Sequence, residues 1–283
     1  MSAEELPTVS IVTPTIGRKS LFQLPLWNFM HFDYPAEKLE WIIVDEGPEP
    51  VRDLLPDDPR IKYYYFEEGE VKALYTQFRE KLETMREKMK SQKKKKGKKK
   101  VKARALLNIH KNWFHKGRIP LGMKRNLCAS YATGDIIVHM DDDDYYPPDS
   151  VRIRVETIIA GKKNACGCST LNNYYPKKFI SFGSVPEEKK PYDRRVICAS
   201  LAYTREFWEQ QKFDNQDINE EISRFVKGRK GDPIEEIDPA AVIVAFVHEG
   251  NYVHYPELQG GDSNGWHFGK LDDKLFQFIS NIK

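Results

Sequence analysis

The chain has 283 residues, 40% hydrophobic and 12% aromatic, which allows one large domain or two small ones with a sizeable core. Its formal charge of +3 conceals an uneven spread: residues 86–104 hold twelve Lys or Arg against one acid, a local +11 that leaves the remainder at −8. No apolar stretch approaches the roughly 20 residues of a membrane span, and the acidic start lacks the apolar core of a signal peptide. Cys128, Cys166, Cys168 and Cys198 match no zinc spacing, so they read as reduced, mostly buried thiols of a cytoplasmic protein.

Thr8 to Thr15 reads as a first strand ending in a turn, and a helix follows over about Leu21 to His31. Leu39 to Gly47 is a second strand that stops at Asp45 and Glu46, and Ile61 to Phe66 is a third. Strands separated by crossovers predict a mainly parallel sheet of the nucleotide-binding kind. From Glu70 to about Met89, Val71, Leu74, Tyr75, Phe78, Leu82, Met85 and Met89 recur at helical spacing. That stripe reads as a packing face, not a ligand site. It runs into Lys93–Lys100, a self-repelling block suited to an acidic surface or another polyanion. A second helix over about Val101 to Phe114 makes residues 70–117 an inserted basic helical hairpin. No aromatic residue interleaves with the lysines, which disfavours single-stranded nucleic acid.

Arg118 to Asn126 opens the next helix, which runs through about Tyr131. Lys124 and Arg125 lie in its first turns, where the helix dipole disfavours cations, so an anionic partner is expected for both. Thr133-Gly134-Asp135 turns into Ile136-Ile137-Val138, a short β-branched run that suits a buried strand. That run ends in Asp141-Asp142-Asp143-Asp144. Four adjacent carboxylates repel one another, and a cation is the simplest thing to hold them together. Oxygen donors suit magnesium, manganese or calcium rather than zinc. The bland alternative is a solvated loop, but a buried strand aims this one, and ligands of open α/β sheets bind beyond the carboxyl ends of strands. An EF-hand fails for want of the position-six glycine and the position-twelve glutamate.

After a helix from Ser150 to Ile159, strands are expected at Asn164–Thr170, Lys178–Gly183, Val196–Tyr203 and Ala240–Val247, with Thr204 capping a short helix. Ile218, Ile222 and Phe225 share a helical face, leaving Asp217, Glu220 and Glu221 on the others. A tail and helix occupy 252–283. Tyr145, Tyr146, Trp208 and Trp266 offer flat aromatic faces for stacking on a ligand, although for any one of them an ordinary core place is the expected reading.

Four stretches in order carry a family resemblance: Val-Ser-Ile-Val-Thr-Pro-Thr, Ile-Ile-Val-Asp-Glu-Gly, Gly-Met-Lys-Arg-Asn and Ala-Thr-Gly-Asp-Ile-Ile-Val-His-Met-Asp-Asp-Asp-Asp. Over about 8–66 and 118–250 the chain resembles the GT-A glycosyltransferases, family 2-like and inverting. It is also similar to the short soluble glycosyltransferases of large DNA viruses. The resemblance implies a single α/β domain over 1–283, with a Rossmann-like, mixed but mainly parallel sheet flanked by helices. It implies a metal-dependent transfer of sugar from a UDP- or GDP-sugar to an acceptor hydroxyl. Thr13, Pro14, Thr15, Asp45, Lys124, Arg125, Asp141 and Asp142 would then face the nucleotide. Asp141, Asp143, Asp144 and His248 would face Mn2+ or Mg2+. Glu221 would be the base, beside Glu220, with Asp217 as its rival. Glu46 stands where the family usually has a second aspartate.

Two other readings compete. A sugar-nucleotide nucleotidyltransferase would carry a glycine-rich loop after the first strand, where this chain has Thr-Pro-Thr-Ile-Gly-Arg. A non-enzymatic polyanion-binding module built on Lys93–Lys100 leaves the aspartates unexplained.

Overall fold

The structure, a computed structural model, describes residues 4–91, 118–161, 163–176, 180–183, 196–215, 225–226, 229, 233–248, 277–279 and 281. Lys93–Lys100, the return helix expected over 101–114, the segment 217–221 and Trp266 lie outside the described residues.

Ten strands are described: β1 (Val9–Ile16), β2 (Leu39–Glu46), β3 (Ile61–Phe66), β4 (Ile136–His139), β5 (Ala165–Gly167), β6 (Asn172–Tyr175), β7 (Ile180–Gly183), β8 (Ala202–Thr204), β9 (Glu235–Glu236) and β10 (Val244–Phe246). Seven form the main sheet, ordered β3-β2-β1-β4-β8-β5-β9. β3, β2, β1 and β4 run parallel, and β8 is antiparallel to both its neighbours. The sheet is therefore mixed and mainly parallel, as expected.

Strand periodicity sorts the apolar side chains to two faces. Val9, Ile11, Trp41, Ile43, Ile136 and Val138 share one core, while Val12, Ile42, Val44 and Ile137 share the other. Both faces are covered, which is why these strands read as continuous apolar runs. The first face is packed by Phe29 of α1 (Gln23–His31), with Phe22 just before it. Trp41 stacks between those two rings, at centroid distances of 5.8 and 5.1 Å. The second face carries Cys128 and Ala129 of a helix spanning Leu121–Tyr131.

A long helix, α2 (Glu68–Ser91), leaves the β3 edge and buries Val71. The helix Leu121–Tyr131 is α3. It is followed by α4 (Ser150–Ala160), α5 (Arg205–Gln210) and α6 (Pro239–Val242). Val151, Val155 and Ile158 of α4 join the α1 face, and Phe207 and Trp208 of α5 join the α3 face. Thr204 caps α5, its hydroxyl accepting from Phe207 N at 3.3 Å. At Gly134 an added Cβ would stand 2.6 Å from Ser10 N, so only glycine lets the turn into β4 lie against β1.

A smaller sheet, β10-β6-β7, packs under α1 through Leu24, Tyr174, Val244 and Phe246. Two main-chain bonds join it to the acidic run: Tyr145 N to Val244 O at 3.0 Å and Val244 N to Tyr145 O at 2.8 Å.

Two expected strands are corrected. Of Val196–Tyr203 only Ala202 and Tyr203 are strand, in a β8 that runs on to Thr204, because Cys198–Ser200 forms a 3-10 turn. Ser200 stabilises that turn by donating its hydroxyl to Ile197 O at 2.8 Å and accepting Cys168 N at 2.8 Å. Of Ala240–Val247 only Val244–Phe246 is strand, because Asp238 caps Ala240 N at 2.9 Å and Pro239 starts a helical turn.

Candidate active site

The four parallel strands end on one side of the sheet, with Thr15, Asp45, Glu46, Tyr65 and His139 at or beside their last positions. Thr15 lies opposite Asp45, Asp45 opposite Tyr65, and Val12 opposite His139. The acidic run continues directly from β4, held by Met140 N on Val12 O at 3.0 Å. Thr13 donates its hydroxyl to Met140 O at 2.7 Å and accepts Trp41 Nε1 at 2.8 Å. Thr13 and Pro14 are buried in the frame, and Thr15 is the strand residue whose side chain reaches the aspartates.

Each aspartate of the run has a different partner. Asp141 takes both Arg125 terminal nitrogens, at 3.0 and 3.2 Å. Asp142 accepts Thr15 Oγ1 at 2.6 Å and Arg18 Nη1 at 2.8 Å. Asp143 accepts the same Arg18 nitrogen and lies 3.2 Å from His248 Nε2. Asp144 accepts Phe246 N at 3.2 Å, while its carbonyl takes Asn28 Nδ2 at 2.8 Å. The small sheet thus does two things: β10 supplies the amide for Asp144, and two residues later the chain delivers His248.

These environments push neighbouring carboxyls in opposite directions. Burial drives the Asp144 carboxyl well above its usual range, and the charges of Asp143 and Asp141 add to this. Burial also raises Asp142, against the pull of Arg18. At Asp143 burial is outweighed by Arg18 and His248, and its pKa is held below the ordinary value. The run thus sets one carboxyl shifted down, at Asp143, between two shifted up, at Asp142 and Asp144.

Asp45 is wholly buried. Its Oδ2 accepts Val51 N at 3.0 Å and Tyr63 OH at 2.6 Å, while Oδ1 has no hydrogen-bond partner among the described residues. Burial raises its pKa, partly offset by the Tyr63 bond. A buried carboxylate oxygen left open at the edge of the sheet is a place for a ligand's N–H or O–H.

Lys124 and Arg125 do have anionic partners, but within the protein. Lys124 pairs with Glu46 at 3.0 Å and donates to Thr15 O at 3.1 Å. Glu46 also accepts Ile119 N at 2.8 Å, fixing the chain just before α3. Arg125 rests on Asp141 and on His139 Nδ1 at 3.0 Å. Arginine only donates, so Nδ1 is the acceptor and Nε2 carries the proton, which it gives to Tyr203 Oη at 2.9 Å. Burial, with Arg125 and Arg154 nearby, pushes the His139 pKa well below its usual range, so the ring is neutral.

Among the described residues, no three His, Cys, Asp or Glu side chains are grouped to hold a metal ion. The Asp143–His248 pair nevertheless has suitable spacing. Two cis donors each roughly 2.1 Å from an octahedral ion stand about 3 Å apart. Magnesium and manganese sites of one or two protein ligands are completed by phosphates and water. The residues thus fit an ion shared with a diphosphate. Tyr145, Tyr146 and Trp208 are buried in the cores, and the Tyr146 hydroxyl bonds Ala199 O at 3.0 Å, so these three pack rather than stack on sugars.

Arg18, Glu46 and His139 carry more of the site than sequence reasoning gave them. The one available signal for Arg18 was its place after Gly17, whose φ of +57° turns the chain just past β1.

Residues 108–206 match the sequence model of Glycosyl transferase family 2. Among solved structures, the mannosyltransferase PcManGT from Pyrobaculum calidifontis, in complex with GDP-Man and Mn2+, aligns over 88% of this chain at 18% identity with a TM-score of 0.54. The likeness gives this chain the GT-A fold. Staphylococcus aureus TarS 1-349 aligns over 84% at 12% identity, TM-score 0.52. The same TarS segment in complex with UDP-GlcNAc aligns over 87% at 12% identity, TM-score 0.51. The chain spans 60% of the length of each of these structures. No curated protein matches it. The sheet places the acidic run, Asp45 and Thr15 together at one end of its parallel strands. The 217–221 carboxylates lie outside the described residues.

Proposed function

We propose that the chain transfers a sugar from a nucleoside-diphosphate sugar to an acceptor hydroxyl, with inversion and with Mn2+ or Mg2+. The observation that carries this is the contact of Asp143 with His248, 3.2 Å apart at the edge where Thr15 and Asp45 also end. The likeness to structures bound to GDP-Man and UDP-GlcNAc supports the donor class.

In this reading Asp45 Oδ1 accepts an N–H of the base, and Thr15 holds Asp142 in place. Asp143 and His248 hold the cation. When bound, it neutralises charge on the departing diphosphate. Glu221 takes the acceptor's proton, with Glu220 and Asp217 beside it, because a hydroxyl ionises far above pH 7 and needs a base in the transition state. Attack from the side opposite the leaving group inverts the anomeric carbon. Lys93–Lys100 contacts an acidic surface and takes no part in the chemistry.

A panel of UDP- and GDP-sugars with Mn2+, read by release of nucleoside diphosphate, tests the proposal. We expect one UDP-sugar to turn over and EDTA to stop it. No release from any donor, with or without metal, removes the reading.

A further inference from the structure

We propose that Arg18 is the resident counter-cation of the Asp142–Asp143 pair, and that a divalent cation enters this site together with a nucleoside diphosphate, whose phosphates draw the guanidinium away. The inference rests on the donor-site reading above and adds an order of events to it.

Arg18 Nη1 lies 2.8 Å from Asp142 Oδ1 and also contacts Asp143 Oδ2. The three side chains are only 14%, 5% and 10% exposed. Two adjacent buried carboxylates need a positive charge, and here the chain supplies its own. The oxygen best placed for a metal ion, Asp143 Oδ2, is already shared between Arg18 and His248 Nε2. An ion roughly 2.1 Å from that oxygen would stand beside the guanidinium. Two cations packed against one carboxylate repel strongly where water is scarce. Either the ion stays out or Arg18 moves.

The surroundings make movement possible. Arg18 comes from a turn just beyond β1, not from the sheet, and Gly17 at φ +57° sets that turn. A guanidinium is always charged and its planar fork matches phosphate oxygens. A diphosphate arriving at the strand ends offers it a second anion and brings further oxygens for the metal. Ion and nucleotide therefore bind cooperatively, and the ion alone binds weakly.

The test titrates wild type, Arg18→Gln and Arg18→Lys with Mn2+ alone, following the free-ion signal by electron paramagnetic resonance. The titration is repeated with saturating UDP and with GDP. In wild type, one of the two nucleotides should tighten Mn2+ binding about tenfold or more, equal to about 1.4 kcal/mol. Arg18→Gln should bind Mn2+ alone about tenfold more tightly than wild type, and should gain less from the nucleotide. Arg18→Lys keeps the charge and should follow wild type with Mn2+ alone.

Equal affinity of wild type and Arg18→Gln for Mn2+ alone overturns the role of Arg18 and leaves the donor-site reading standing. So does wild type binding Mn2+ as tightly without nucleotide as with it, a result that needs no variant. Failure of wild type to bind Mn2+, UDP or GDP in any combination overturns the donor-site reading as well.

Discussion

His248 Nε2 stands 3.2 Å from Asp143 Oδ2, although the two are 105 positions apart in sequence. Each lies just beyond a strand, Asp143 after β4 and His248 after β10, so two sheets meet at this contact. His248→Ala should weaken Mn2+-dependent UDP or GDP binding by about 10- to 100-fold, the usual cost of losing a ligand or its neighbour at a metal site. Nucleotide binding in EDTA should hardly change. Calorimetry with and without Mn2+ separates the two. Equal loss in both conditions would mean that His248 serves the fold and not the ion.

Glu46 and Lys124 form a buried pair at 3.0 Å. Removing one partner strands the other. Glu46→Ala should cost about 3–5 kcal/mol in urea denaturation, and the double change with Lys124→Met should recover much of it. A single-mutant loss below about 1 kcal/mol would show that water compensates Lys124.

His139 joins Arg125 to Tyr203 through both ring nitrogens. His139→Phe leaves those two groups short of a partner and should destabilise the protein by about 2 kcal/mol, and Tyr203→Phe by about 1. The histidine change alone should also weaken nucleotide binding, because it frees Arg125 from its set direction towards Asp141. Denaturation midpoints and calorimetry on the same preparations check both.

Glu40 ties the Thr133–Gly134 turn to β1 and Lys62. Burial pulls its pKa up, but bonds from Lys62, Ser10 and Thr133 leave it below its ordinary 4.5. The folded state therefore binds this proton less readily than the unfolded chain does. The stability it contributes is complete above pH 4.5 and is lost as pH falls through the lower folded value. Glu40→Gln should lower stability at neutral pH and flatten the loss on acidification. Denaturation at several values between about pH 3 and 6 tests this, and parallel curves for the two proteins would rule it out.

Glu221→Gln should keep nucleotide binding and lose transfer, because a general base contributes about 10²–10⁴-fold to rate. The comparison is Asp217→Asn. If Asp217→Asn loses transfer and Glu221→Gln keeps it, the base is Asp217.

Much of the frame could be read from residue order alone. β-branched runs ending in acids gave the parallel strands, because both sheet faces are covered and each strand must be apolar until it reaches the edge. The aspartate run was legible as a cluster at a strand end for the same reason. What stayed hidden depended on contacts between distant residues. The basic pair Lys124–Arg125 called for anions, but sequence could not say that Glu46 and Asp141 already supply them. Arg18 was one arginine among many until the turn at Gly17 set it against Asp142 and Asp143. The Asp238–Pro239 helix start was overridden by the apolar run after it, although a cap and a first-position proline are a local signal.

The bridge between Tyr145 and Val244 has a kinetic consequence. It rests on two main-chain bonds between residues 99 positions apart, in a β10 of three residues. Such a long loop closes late, because its entropy is lost before any contact rewards it. β1, β2 and β4 can assemble, and the aspartate run can emerge from them, before β10 arrives. The histidine then reaches its carboxylate late in folding, and local opening of that bridge together with the Phe246–Asp144 bond would take it away again while the main sheet stays whole.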